Sequence, residues 1–471
     1  MKMYLGRSWQ ERSDTIEVRS PYDGQLVDTV PRASLNDVES ALKTAFEGIR
    51  EMRKLSGFDR YRILKRTAEL VEEKADDLAR TITLEEGKIL AEARFEVSRA
   101  AETLMVSAEE AKRISGEMVP LDGAPGASGR IGFTLRVPCG VVLAISPFNF
   151  PLNLVAHKLG PAIAAGNSLI VKPATDTPLS ALKLTELLLQ AGLPSAAIQC
   201  ITGSGGEIGK ALCSDRRVRK ITFTGSRDVG EQICLMAGLK KVTMELGSNA
   251  PLIVMPDADL EKVCQAVVVT GYSNAGQVCI STQRVLALRP IYADLLEALK
   301  PRVQGIRVGN PLDESVKMGP MIREADAARV ESWVKQAESA GARVVAGGER
   351  EGALHAATLV ADVKPEMRIS CDELFGPAVA VSSANSIEEA IALANDTNYG
   401  LSAGIFTQNL DWAMKFAREV ESGNLHVNWG PQWRADLMPY GGLKESGFGK
   451  EGPKYAVQEM TELKMVVLHL Q

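Results

Sequence analysis

Cys279 lies in the segment SNAGQVCISTQR, where small and polar side chains crowd the approach to its sulfur. A thiolate nucleophile that must admit a substrate needs such surroundings. The competing reading is a buried structural cysteine, the commoner fate of a free thiol. Glu245 ends the β-rich run VTMELG close to a glycine. A carboxylate at the C-terminal end of a parallel strand faces the crevice where ligands gather. It can equally cap an amide or pair with Lys240 or Lys241. Asn149, in ISPFNFP, is bracketed by Pro147 and Pro151. The stiff loop holds its amide as an oxyanion hole holds a donor, unless it is a turn Asn bonded to its own backbone. Two glycine-rich junctions, GSGGEIG (203–209) and FTGSRDVG (223–230), follow strands and open helices. There a phosphate can approach a helix N-terminus, although neither is the GxGxxG fingerprint. Lys172, in IVKPATD, stands at a strand end, where it meets ribose or phosphate or is a solvated loop lysine.

These residues need a scaffold, and the pattern along the chain supplies one. Ser34 and Asp37 cap a helix over 34–52, and charged amphipathic helices fill 58–115. A Gly-rich hairpin tip follows at 121–130. From residue 141, apolar runs at 141–146, 167–173, 197–203, 220–225 and 242–247 alternate with helices at 152–165, 178–190, 206–213 and 228–237. That is the signature of βαβ units and a parallel sheet. A second alternation starts at 251–255, with 368–384 read as extended, so two α/β lobes meet near Gly247. The C-terminal run VVLHL reads as a strand in need of an edge, expected from a neighbouring subunit.

Composition excludes several classes. The 471 residues allow about two or three domains, and 45% apolar with 24% charged residues is ordinary for a globular chain. Lys plus Arg is 54 against 59 for Asp plus Glu, a net charge of −5 without the basic footprint of a nucleic-acid binder. No apolar run reaches the ~18 residues of a membrane span, and the N-terminus lacks a signal-peptide core. Seven cysteines without a CxxC pair, and four scattered histidines, point to reduced thiols in a cytoplasm and to no metal site.

Together the segments resemble the NAD(P)-dependent aldehyde dehydrogenase superfamily. The resemblance rests on SPFNFP with Asn149, IVKP with Lys172, FTGSRDVG, MELGSNAP with Glu245, GQVC with Cys279, ELFGP, and PYGGLKESGFGKEG over 439–452. It implies Cys279 as nucleophile, Glu245 as the base that activates water, and Asn149 as oxyanion donor. It also implies a cofactor site. Ser146, Pro147 and Gly205 line it, Lys172 and Thr175 meet the adenosine ribose, and Gly225, Ser226 and Gly230 meet the pyrophosphate. Glu373 holds the nicotinamide ribose, with Phe375 beside the nicotinamide. Many NAD-preferring members carry Glu where this chain has Thr175. Thr does not repel a 2′-phosphate, so NADP is expected to be accepted as well as NAD, although Asp176 next to it opposes this. Ser248, in ELGS, replaces the more usual glycine.

The sequence looks most like the branch that handles lactaldehyde, sulfolactaldehyde, phosphonoacetaldehyde and glyceraldehyde 3-phosphate. Such substrates are small and hydroxylated or anionic, and an anion calls for a cation. Arg434 is the first candidate, with His157 and Arg99 beside it. The alternative for Arg434 is an ion pair with Asp436. Phe148, Trp429 and Trp433 line a tunnel or simply pack. The alternative function is a dehydrogenase of broad or neutral-aldehyde specificity. Release of the thioester to coenzyme A is disfavoured by Glu245, and a non-catalytic role by the presence of both Cys279 and Glu245. The expected fold is α/β, with two doubly wound parallel-sheet domains and a small β oligomerisation arm. The cofactor domain spans 1–118 and 138–246, the catalytic domain 247–450, and the arm 119–137 and 451–471. The expected assembly is a homodimer or homotetramer.

Overall fold

The computed structural model describes residues 1–470. Its first sheet has eight strands. The central five run parallel in the order Ile198–Cys200, Ser168–Lys172, Val141–Ile145, Val218–Thr224, Lys241–Glu245. In chain order that is 3-2-1-4-5, and the direction of winding reverses between Val141–Ile145 and Val218–Thr224. These strands read as unbroken apolar runs because helices cover both faces. Leu169 and Val171 enter the core on one face, and Ile170 and Ile221 the core on the other. The helix Leu35–Met52 begins with the capping box expected from Ser34 and Asp37.

The second sheet has seven strands, with Pro251–Val254, Arg284–Leu288 and Ala378–Ala384 at its centre. The expectation of extended chain from 368 fails over one turn, because Arg368–Cys371 is helical. Four short N-terminal strands escaped the sequence reading, and one of them, Met3–Leu5, extends the first sheet at Ile198–Cys200.

The C-terminal strand Thr461–His469 finds a partner for one edge within its own molecule. It pairs antiparallel with Arg130–Pro138 of its own chain, in register from Thr461 opposite Pro138 to His469 opposite Arg130. With Met118–Val119 the two form a three-stranded arm. The expected boundaries near 450 also shift. Gly447–Phe448 pairs with Lys241–Glu245 in the first sheet, and after the helix Pro453–Glu459 begins, Val457 and Met460 enter the first domain's core. The chain therefore crosses back before it enters the arm.

Candidate functional site

Four parallel strands of the first sheet deliver their C-terminal ends to one crevice. Val141–Ile145 runs out into Ser146, Pro147, Phe148 and Asn149, Ser168–Lys172 ends on Lys172, and Lys241–Glu245 ends on Glu245. Val218–Thr224 leads into Gly225 and Ser226, which opens the helix Arg227–Ala237. The second domain supplies Cys279. Its helix Leu260–Tyr272 ends in a left-handed turn at Asn274 and Ala275, and the chain then passes Cys279 on its way to the strand Arg284–Leu288.

Cys279 is partly buried, and burial pushes its thiol up to about 12. The Tyr440 hydroxyl lies 3.5 Å from its sulfur. Asn149 is held by its amide, whose Nδ2 donates to the Gln277 carbonyl at 2.8 Å. Glu245 is buried and pairs with neither Lys240 nor Lys241. Lys241 turns instead to Glu462 and the Thr461 carbonyl. Burial, with the Glu451 carboxylate next, raises Glu245 well above the ordinary carboxylate range. Several buried polar atoms without a hydrogen-bond partner fall in this crevice, namely Ser146 Oγ, Asn149 Oδ1, both Glu245 oxygens and Arg434 Nε. Such atoms are rare inside proteins, and water, a ligand or a catalytic role accounts for them.

The three residues expected to meet an anion do cluster, but with different partners. Arg434 pairs with Glu451 at 3.0 Å and not with Asp436. It also donates to His157 Nδ1 at 3.1 Å, and its guanidinium lies 4.1 Å from the centre of the Tyr440 ring. Asp436 takes Arg99 at 2.7 Å and His157 Nε2 at 3.3 Å. Burial, followed by the nearby Arg434 charge, lowers the His157 pKa, so the ring is neutral, with Nδ1 accepting and Nε2 donating. Lys158, missed in the sequence, is buried and bridges Thr224 at 2.6 Å and Glu451 at 3.1 Å. Burial pushes Glu451 upward, but Lys158 and Arg434 outweigh it and hold the carboxylate ionised. A lone lysine in the apolar helix Asn153–Ala165 was the signal for it. Of the aromatics, Phe148 meets Phe375 edge to face at 6.0 Å. Trp433 is exposed against His426, and Trp429 packs on the second core.

The cofactor residues also converge. Lys172 is buried, which lowers its ammonium to about 8, and it donates to the Pro173 carbonyl. Thr175 bonds the Gly203 carbonyl at 3.2 Å. Arg323 grips Asp176, so that carboxylate is already paired. Ser226 makes no cap bond with its own side chain, and Gly230 follows in the first turn of its helix. Gly205 faces the Lys172 stem. Glu373 accepts from the Ser248 amide at 2.9 Å, and burial raises it to about 7. A Cβ on Gly247 would stand 2.1 Å from Glu373 Oε2, so only glycine admits this carboxylate. An uncapped helix start, a buried lysine and a cradled carboxylate together fit pyrophosphate and ribose hydroxyls.

Known proteins resemble this chain over nearly its whole length. The aldehyde dehydrogenase family model matches residues 9–466. A 3-sulfolactaldehyde dehydrogenase of Priestia aryabhattai is 47% identical over 468 residues, covering 99% of this chain and 98% of its own. Aldehyde dehydrogenase 21 from Physcomitrella patens, solved in complex with the reaction product succinate, superposes with a TM-score of 0.97 at 37% identity, over 99% of this chain and 98% of its own. The glyceraldehyde-3-phosphate dehydrogenase GapN of Methanocaldococcus jannaschii, solved with NADP, gives 0.94 at 36% identity, over 98% of this chain and 100% of its own.

Proposed function

The chain belongs to the aldehyde dehydrogenase family, and from that premise we propose that it oxidises a small aldehyde bearing an anionic group to the carboxylic acid, through a thioester on Cys279. Cys279 attacks the aldehyde carbon as the thiolate, and the oxyanion forms between the Asn149 amide and the Cys279 N–H. One such donor is worth about 3–4 kcal/mol at the transition state. The second Asn149 N–H serves that oxyanion, since the first is committed to Gln277. A bound nicotinamide cofactor supplies the hydride acceptor. Glu245 then takes a proton from water, which attacks the thioester and releases the acid. Lys172, Thr175, Gly205 and the Gly225–Ser226–Gly230 helix start would hold the adenosine and pyrophosphate, and Glu373 and Phe375 the nicotinamide side. Ser146 and Pro147 would line the channel between them.

The charge around Arg434 carries the substrate reading. Arg99, Arg434 and Lys158 face only two ionised carboxylates, Asp436 and Glu451, while Glu245 is held toward its neutral form. The cluster keeps an excess positive charge and a buried Arg434 Nε–H with no acceptor. A sulfonate, phosphonate, phosphate or carboxylate satisfies both. The named substrates of the sulfolactaldehyde and glyceraldehyde-3-phosphate relatives, and the succinate of the moss enzyme, are of this kind. The test is kcat/KM across sulfolactaldehyde, phosphonoacetaldehyde, glyceraldehyde 3-phosphate, succinate semialdehyde, lactaldehyde and propanal, with wild type and Arg434→Ala. An anionic aldehyde should win by tenfold or more, about 1.4 kcal/mol, and the variant should lose that margin. Equal rates on propanal, unchanged in the variant, would leave a neutral-aldehyde enzyme.

NADP acceptance is part of the same proposal. Thr175 offers no charge against a 2′-phosphate, and the Asp176 charge is spent on Arg323. Thr175→Glu should therefore lower kcat/KM with NADP by tenfold or more while that with NAD moves less than threefold. Equal losses with both cofactors would show that the position does not read the phosphate.

A further inference from the structure

Beneath the catalytic loops lies a buried cluster that the chemistry above does not use. Glu86 ends the helix Ala75–Glu86, Lys88 follows in the turn, and Glu92 and Glu96 lie on the helix Leu90–Ala111. The Lys88 and Glu96 side chains are 1% and 0% exposed. Lys88 Nζ donates to Glu96 at 2.6 Å and to the Asn149 carbonyl at 2.7 Å, above the Phe150 ring. The other Glu96 oxygen accepts from the Leu152 and Asn153 amides. The pair thus grips the Asn149 loop at its carbonyl and again at its exit into the next helix.

The same cluster grips the approach to Cys279. Glu92 accepts from the Asn274 backbone at 3.1 Å, and Glu86 from Asn274 Nδ2 at 2.8 Å. Asn274 Nδ2 also reaches the Asn149 carbonyl at 3.3 Å. Asn274 and Ala275 both hold left-handed backbone, with φ of 50° and 52°. Two such residues in a row store strain and persist only where the surroundings enforce them. Here two carboxylates do so, and the Asn149 carbonyl is the point where the two loops, one from each domain, are tied together.

We infer that Lys88 and Asn274 are positioning residues for the oxyanion site. Through the Asn149 carbonyl and the left-handed turn they fix the Asn149 amide relative to the Cys279 backbone N–H, and neither touches the reacting atoms. The inference rests on Cys279 and Asn149 having the roles proposed above. A buried pair can also serve only the fold, since breaking one is strongly destabilising. Two reactions of the same thiol separate these roles. Alkylation by iodoacetamide displaces iodide at a saturated carbon and makes no oxyanion. Acylation by p-nitrophenyl acetate passes through a tetrahedral oxyanion, expels p-nitrophenolate and leaves acetyl-Cys279, the thiol proton going to water.

Both rates are read on the full chain without cofactor, by mass spectrometry of the Cys279 peptide. The variants are Lys88→Met, Lys88→Arg and Asn274→Gly, the last keeping a residue at ease in left-handed backbone. Lys88→Met and Asn274→Gly should slow acylation by tenfold or more while alkylation changes less than threefold, and Lys88→Arg should recover at least a third of the acylation rate. If Lys88→Met does not fold, Asn274→Gly carries the test. Losses in proportion on both reactions, or no loss on either, overturn the inference. A wild type alkylated but never acylated at Cys279 overturns instead the oxyanion role of Asn149, and the inference with it.

Discussion

Glu245 is buried with neither carboxylate oxygen hydrogen-bonded, an expensive state for a charge and an informative one. Burial and the ionised Glu451 beside it favour the protonated acid. A general base works only when deprotonated, so the fraction competent for deacylation grows with pH, and does so above the usual carboxylate range. Where deacylation limits turnover, kcat should keep climbing with pH above the usual carboxylate range, and Glu245→Gln should abolish that climb. The same variant should still yield one equivalent of NAD(P)H per site in a stopped-flow burst, with steady turnover at least a hundredfold lower. A missing burst would place Glu245 before hydride transfer. The thiol runs parallel to this. With Cys279 pushed to about 12 by burial, only a trace is thiolate at neutral pH. Its alkylation by iodoacetamide in the cofactor-free chain should rise close to tenfold per pH unit from 7 to 9, with no plateau. A plateau below pH 9 would mean that a neighbouring charge lowers the thiol despite its burial.

At the level of elements, the strand that carries Glu245 is braced from outside by Gly447–Phe448. Gly447 holds φ of 112°, and a Cβ there would stand 1.9 Å from the Met244 carbonyl. Gly447→Ala therefore forces the brace off the strand. Its melting temperature should fall by about 2 °C or more, with kcat down by a larger factor than Cys279 alkylation. An unchanged melting point would show that the brace bears little load. The pairing of this brace with the strand was not legible in the sequence, nor were the partners of Lys158, Glu451 and Tyr440. What could be read there was local. Apolar runs marked the parallel strands, Ser34 with Asp37 marked a helix start, and motif residues at strand ends came together in one crevice because parallel strands share a C-terminal edge. The rest depends on contacts between distant segments. The sequence offered Arg434 only the nearby Asp436 as an ion-pair partner, and the fold gave it Glu451 instead. The terminal strand's need for an edge was legible, but not that residues 130–138 of the same chain would meet it.

At the scale of the whole molecule, the arm stands without cover. The arm is a three-stranded sheet whose last strand exposes Leu463, Met465 and Val467 on one side and Leu468 on the other, with Ile131 and Leu135 exposed on the strand beside it. A sheet of three strands holds its shape only when an apolar face is packed. Contiguous exposed apolar surface of this kind marks an interaction site. The occupant expected is a second copy of this chain, giving a dimer or tetramer in solution. Leu463→Lys with Val467→Lys places two charges on that face. Light scattering should then report the mass of a single chain where the wild type shows a multiple. Every residue assigned to the catalytic crevice comes from one chain, so separation should spare the chemistry. The expected kcat of the variant lies within fivefold of the wild type, while its thermal inactivation quickens. A variant that stays associated would move the interface elsewhere, and one that separates with kcat lost would mean that the second copy holds the crevice in shape.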